Sequence, residues 1–184
     1  MASMIGRPHA TEAAPHYFTY INQVISQVTS QVIGDDPISP ISIMELQLEE
    51  SLAFFRQISE ETSLHRYMPE KWSIRQVLNH VNDTERALAF RALWFARGFE
   101  TPLPGYDADI AASGAEAGNI SWASQVDEFR RVRLSTISLF QNLPDEAWTK
   151  GGGASDNFFT VRALAWIIAG HIAHHASILR ERYL

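Results

Sequence analysis

The sequence contains no cysteine. That absence excludes a disulfide framework, a thiolate metal site and a cysteine nucleophile, and it leaves imidazole and carboxylate as the side chains able to ligate a metal. It also fits a protein of the reducing cytoplasm. Positive charge is scarce as well, since 15 Lys and Arg stand against 21 Asp and Glu, for a formal net charge of -6. Such a chain repels phosphate backbones, and its one tight basic cluster is Arg130, Arg131 and Arg133, so nucleic acid is excluded as the expected partner. Long apolar runs are missing too. The densest, 163–172, is interrupted by Gly170 and His171 and falls well short of the about 20 residues that cross a bilayer, so no membrane is expected. Residues 1–15 lack the basic start and apolar stretch of a secretory signal and are expected to form a disordered N-terminal tail.

What is present reads as helix. With 184 residues, 46% of them hydrophobic and 20% charged, the chain can bury one full core, and a single folded unit over 16–184 is expected. Residues 16–33 carry Tyr17, Tyr20, Val24, Val28 and Val32 at near-helical spacing, and the run 34–37, Gly-Asp-Asp-Pro, breaks the chain after them. Ser42 with Glu45 predicts a capping box opening a helix over 42–60. Ser73 with Gln76 predicts a second box, stapled by Trp72 and Val77, for a helix ending near Arg97 and Gly98. A loop rich in proline and glycine follows over 99–119. Ser121 opens another helix that Pro144 stops, the glycines at 151–153 predict a flexible turn, and Thr160 caps a last helix reaching about Tyr183. Four major helices without a convincing strand pair predict an all-α bundle.

The histidines carry the chemistry. With each residue turning the helix by about 100°, His171 and His175 fall near the middle of the apolar arc of the last helix, defined by Leu164, Ile167, Ile168, Ile172, Ile178 and Leu179. His174 lies at its edge. Their i, i+4 spacing brings the two Cβ atoms to about 5–6 Å, close enough for both rings to reach one ion. On the second capped helix, His80 sits at the edge of the stripe formed by Val77, Val81, Thr84, Leu88 and Phe95. One such histidine alone reads best as a core residue bonded to a carbonyl oxygen. Three that converge on an apolar interior are costly unless a single metal satisfies them together, which makes His80, His171 and His175 the candidate ligands of one divalent transition metal. Zinc or nickel fit best, iron or manganese also suit imidazole, and three ligands leave positions open to water or substrate.

Asp83, one turn beyond His80, is the candidate catalytic, proton-handling residue, whereas Glu85 reads as a solvated helix face. Arg91 lies on the same side of its helix as His80 and reads as a surface arginine, with an anion anchor at the pocket wall as the competing role. Asp107 and Asp109 are explained by turn formation, although their loop is placed to cover a site.

The stretch 71–80, Lys-Trp-Ser-Ile-Arg-Gln-Val-Leu-Asn-His, followed by Asp83-Thr84-Glu85-Arg86 and later by Ala169-Gly170-His171-Ile172-Ala173-His174-His175, resembles the DinB-like superfamily of metal-dependent proteins. Arg97-Gly98, the run 104–107 and the closing residues 179–184 strengthen the likeness, which spans roughly 17–184. The resemblance implies a four-helix bundle running up-down-down-up, with a long crossover between its second and third helices. It implies one ion on three histidines, at the positions of His80, His171 and His175, and a homodimer. It also implies a small-molecule substrate, with thiol-dependent transferases and isomerases using a low-molecular-weight thiol, and metal-dependent hydrolases, among the relatives. A metal-stabilised structural or ligand-binding dimer without catalysis is the competing role. Residues 26–32 look inserted relative to that family.

Overall fold

The computed structural model describes residues 6–28 and 39–184. Its helices are α1 (Phe18–Val28), α2 (Pro40–Phe55), α3 (Ile74–Ala96), α4 (Ala108–Gly114), α5 (Trp122–Gln141) and α6 (Val161–Ile178), the last extended by a π-helical turn over Leu179–Tyr183. Among the described residues no helix is long and apolar enough to cross a membrane.

Helix starts follow local chemistry. The Ser73 box forms in full, with Ser73 N donating to Gln76 Oε1 at 3.0 Å and Gln76 N donating to Ser73 Oγ at 3.3 Å. Ser121 and Thr160 cap α5 and α6 as expected. The start of α2 differs. Ser39, not Ser42, is its N-cap, because Pro40 at the first helical position has the preset φ of a helix start and no N–H to leave unpaired. Ser42 and Glu45 then lie inside the helix, which ends at Phe55 and not near residue 60.

Four of these helices form the bundle, and their pairings fix its directions. Asn82 bonds to the Gln125 carbonyl and Glu85 pairs with Arg133, so α3 and α5 run the same way. Trp122 donates to the Phe55 carbonyl and Gln141 to Glu45, so α2 and α5 run oppositely. Gln47 donates to the Ala169 carbonyl while Arg180 lies over the Phe54 ring, so α2 and α6 are parallel. Tyr183 meets Trp72 at the far end of α6, and Gly152 meets Phe95 before its start, so α3 and α6 are antiparallel. The result is up-down-down-up, with residues 97–121 as the crossover from α3 to α5. Arg75, buried at the start of α3, pins that crossover by donating to the Gly118 and Ile120 carbonyls and to Glu60.

Outside the bundle, α1 lies on α6, and two expectations change there. The glycines at 151–153 are not a flexible turn: Gly151–Ala154 (β1) pairs antiparallel with Asn157–Thr160 (β2) through a two-residue turn in which Ser155 and Asp156 both have positive φ. A Cβ on Gly152 would stand 2.5 Å from Phe95, so only glycine lets this strand close on α3. Nor are residues 6–15 a loose tail. Glu12 is buried against Thr160 and Arg162, and Trp166 donates to the Gly6 carbonyl, so carboxylate and backbone partners hold this arm on the start of α6. Of the residues expected to be inserted, 26–28 complete α1, and 29–32, like the 34–37 break, lie outside the described residues.

The core divides in two. One part gathers around Trp166, Phe159, Phe95 and Phe140, the other around Phe55, Phe129, Trp122 and Ile74. Buried polar side chains accompany both parts, among them His80, His171, Glu85, Arg133 and Gln125.

Candidate metal centre

Three imidazoles meet inside the bundle. His171 is buried on α6, His175 stands one turn later, and His80 reaches them from α3. The Nε2 atoms of His80 and His171 are 3.2 Å apart, those of His175 and His171 are 3.1 Å apart, and one ring nitrogen from each residue falls within 4.8 Å of the others. One Nε2 has a single in-plane site, so His171 cannot hydrogen-bond properly to both neighbours at once. A tetrahedral ion with N ligands at 2.0–2.1 Å has ligand-to-ligand edges of about 3.3 Å, close to the spacing found here. The donor set therefore fits a divalent cation that would be shared by all three.

The electrostatics agree. Burial pushes His80 down to about 4, partly offset by the charge of Asp109, and pushes His175 down to about 3, helped by His80 and His174. Burial, then His175, His80 and His174, and then Arg133, hold His171 well below the usual histidine range. All three are neutral at pH 7, the form that ligates metals. Thr84 Oγ1 sits 3.3 Å from His80 Nδ1 and can accept its proton, which leaves Nε2 free to face the cluster. Thr84 was legible only as a member of the buried stripe, yet its position four residues after His80 is the signal for this role.

The other expected residues fall into place differently. His174 is an outer neighbour, 3.3 Å from Gln23 through Nδ1 and edge-on to Tyr20. Asp83 accepts from Asn79 at 2.7 Å and from Arg86 at 3.2 Å, both on its own helix, and is not part of the three-histidine group. Asp107 caps α4, accepting from Asp109 N and Ile110 N at 2.9 Å, and that helix presents Asp109 toward His80 and His175. Glu85 is not a solvated face: it is 3% exposed and bonds Arg133, itself fully buried, at 2.7 Å. The expected basic cluster is thus dispersed, with Arg133 inside and Arg131 in a surface pair with Asp127. Arg91 is likewise buried and not a surface arginine.

Two pockets open onto the imidazoles. One, of about 180 Å³, reaches His80 and His171 and is walled by Tyr17, Tyr20, Thr84, Arg91, Tyr106 and Ser155. The other, of about 300 Å³, reaches His175 and is walled by Tyr67, Trp72, Asp109 and Tyr183. A larger cavity of about 430 Å³ beside Phe55 and Trp122 touches none of the three histidines. Among the described residues no fourth histidine or carboxylate completes the cluster, so its remaining side faces space a ligand can enter.

Comparison with known proteins fits this geometry. The family model of the DinB superfamily matches residues 43–179, which include all three histidines. The chain belongs to the DinB superfamily. A solved structure, YfiT from Bacillus subtilis, described as a probable metal-dependent hydrolase with an unusual four-helix bundle topology, superposes with a TM-score of 0.59 at 14% identity, covering 95% of this chain and 91% of its own. At that identity the likeness establishes the DinB-type fold and nothing finer. A search of curated proteins finds no match.

Proposed function

We propose that this DinB-superfamily chain is a metal-dependent hydrolase of a small molecule, with one divalent transition metal on His80, His171 and His175. The observation that carries the reading is the convergence of three neutral imidazoles beside two pockets, with His171 Nε2 3.2 Å from His80 and 3.1 Å from His175, and without a fourth histidine or carboxylate in the group among the described residues. A site that served only to cross-link helices would be closed by its own ligands. Zinc or nickel suits the donor set best.

A divalent ion held there would supply Lewis acidity to activate water. The chain's own groups do the rest. Burial keeps the three rings neutral, and the Thr84 hydroxyl can accept the His80 Nδ1 proton, which would leave Nε2 free for the ion. Asp109, whose charge reaches His80 and which lines the His175 pocket, is placed to accept the proton that the nucleophile sheds. Asp83, the sequence candidate for that task, acts at one remove: burial and then the charge of Asp83 raise the Tyr106 phenol above its ordinary range, so Tyr106 stays protonated and able to donate into the smaller pocket.

A second reading is thiol transfer at the same centre. Two pockets, one reaching His80 and His171 and the other His175, could hold a thiol and an electrophile, and the same Lewis acidity would activate the thiol. Both readings are tested by metal analysis of purified wild type, His171→Ala and Asp109→Asn, together with turnover of small esters, with and without a low-molecular-weight thiol. His171→Ala should lose the metal, whereas Asp109→Asn should keep it and lose turnover. Unchanged metal content in His171→Ala would overturn the site. Turnover that requires the thiol would decide for transfer.

A further inference from the structure

Arg91 is 6% exposed and lines the smaller pocket together with His80 and His171. Its Nη2 donates to the Ser155 hydroxyl at 2.8 Å and to the Pro104 carbonyl at 3.3 Å, both of them neutral. Among the described residues no carboxylate lies within ion-pair distance of it, although the other deeply buried arginines, Arg75, Arg133 and Arg162, each have one: Glu60, Glu85 and Glu12. A guanidinium with five donors, taken out of water without a counter-charge, is unfavourable unless something anionic completes it. The same pocket holds a second incomplete group. The Tyr106 hydroxyl is buried without a hydrogen-bond partner, and the Thr84 hydroxyl approaches it without meeting hydrogen-bond geometry. Tyr17 and Tyr20 complete the wall.

The backbone holds this cradle open. Leu103 N bonds to the Gly153 carbonyl, and Ser155 N to the Leu103 carbonyl, so the crossover and the hairpin lock together around Arg91. Ser155, whose positive φ places it in the tight turn, presents its hydroxyl to the guanidinium from that lock. The arginine is therefore fixed and directed, unlike a flexible surface cation.

We propose that Arg91 is the carboxylate-recognition residue of this site, so that the substrate is a small acid whose carboxylate docks on Arg91 and Tyr106 while its reactive end meets the three histidines. The planar fork of a guanidinium matches a carboxylate, and the phenol adds a further donor. Arg91, His80 and His171 line the same pocket, so both ends of the molecule must fit within it. A pocket of about 180 Å³ is below the roughly 300–1,000 Å³ of pockets for drug-sized ligands, which again selects a short acid. The identity of the reactive end rests on the metal reading above; the carboxylate end does not.

The test uses full-length protein, metal-free and zinc-loaded, titrated with straight-chain monocarboxylates from acetate to hexanoate and with the matching primary amides, read by calorimetry and by thermal shift. Metal-free wild type should bind the acids at least tenfold more tightly than the amides. Arg91→Gln should abolish that preference, weakening the acids roughly tenfold to hundredfold. Arg91→Lys should retain part of it, and Tyr106→Phe should lose a few-fold. His171→Ala should keep the preference while losing zinc, so a failed metal site and a failed carboxylate site give different patterns. Equal binding of acids and amides by wild type would overturn the proposal, as would a preference that survives in Arg91→Gln. If Arg91→Gln does not fold, the wild-type comparison and the partial loss in Arg91→Lys decide. Inorganic phosphate binding as tightly as the acids would overturn the carboxylate assignment.

Discussion

A Cβ on Gly170 would stand 2.3 Å from the carbonyl oxygen of Tyr20, so α1 crosses α6 at the one residue that lets two backbones approach so closely. The contact places the Tyr20 ring edge-on to His171, with centroids 5.6 Å apart, and makes it part of the pocket wall. In an ordinary helix interior, Gly→Ala stabilises by about 1 kcal/mol. Here the methyl must displace α1, and overpacking of this kind costs roughly 1–3 kcal/mol. Gly170→Ala is therefore expected to lower the Tm by about 2–12 °C. A thermal scan showing equal or greater stability would mean that α1 does not seat on α6 in this way.

The convergence of the three histidines was legible because each ring's phase is fixed locally. His171 and His175 share a turn of one helix, and the Ser73 capping box sets the register that turns His80 inward. What was not legible depends on partners distant in sequence. The 151–153 glycines form a strand because Phe95 and Phe159 fill the space where side chains would be. Glu12 has no local reason to be ordered; its reason is Arg162, 150 positions away. Glu85 and Arg91 look like ordinary surface charges on a helix until α5 and the hairpin close over them. The misplaced start of α2 is a local failure, in which the Ser42–Glu45 pattern competes with the true Ser39–Pro40 signal.

Glu85 and Arg133 form a buried ion pair, with Gln47 linking Arg133 to the Ala169 carbonyl beneath the cluster. Removing one partner leaves the other charge uncompensated inside the bundle, which costs about 3–5 kcal/mol. Glu85→Ala is expected to lose that much in urea unfolding, whereas Arg131→Ala, which breaks only the surface pair with Asp127, should lose under about 1 kcal/mol. Comparable losses from the two variants would refute the distinction between them.

The N-terminal arm gives an acid-side prediction. Burial raises the Glu12 carboxyl, but hydrogen bonds from Arg162, Thr160 and the His9 backbone outweigh it and hold the group below its ordinary value of 4.5. A carboxylate whose folded pKa is depressed contributes stability that is present above the unfolded value and lost as pH falls through the folded one. Glu12→Gln should therefore destabilise at pH 7, and its gap to wild type should narrow as pH falls below the ordinary value of 4.5. Unfolding midpoints at pH 7 and at acid pH measure this, and a gap unchanged at acid pH would show that the charge on Glu12 does not matter.

The histidine centre gives a prediction at higher pH, best seen in metal-free protein. The three rings are neutral in the folded chain and charge near the ordinary value of 6.5 once unfolded, while His80 resists down to about 4 and His175 to about 3. Below pH 6.5 the unfolded state binds more protons than the folded one, so stability falls as pH falls, and it continues to fall until the folded values are reached. For His80 alone the loss is about 3 kcal/mol across that window. Urea midpoints measured from pH 7 to pH 5 should decline in wild type and decline less in His80→Gln. Zinc at pH 7 should raise the Tm of wild type and leave His171→Ala unmoved, because an ion that binds only the folded site stabilises in proportion to the logarithm of its concentration over Kd. A flat stability profile between pH 7 and pH 5, or a zinc response that persists in His171→Ala, would show that these imidazoles are not held neutral around a shared ion site.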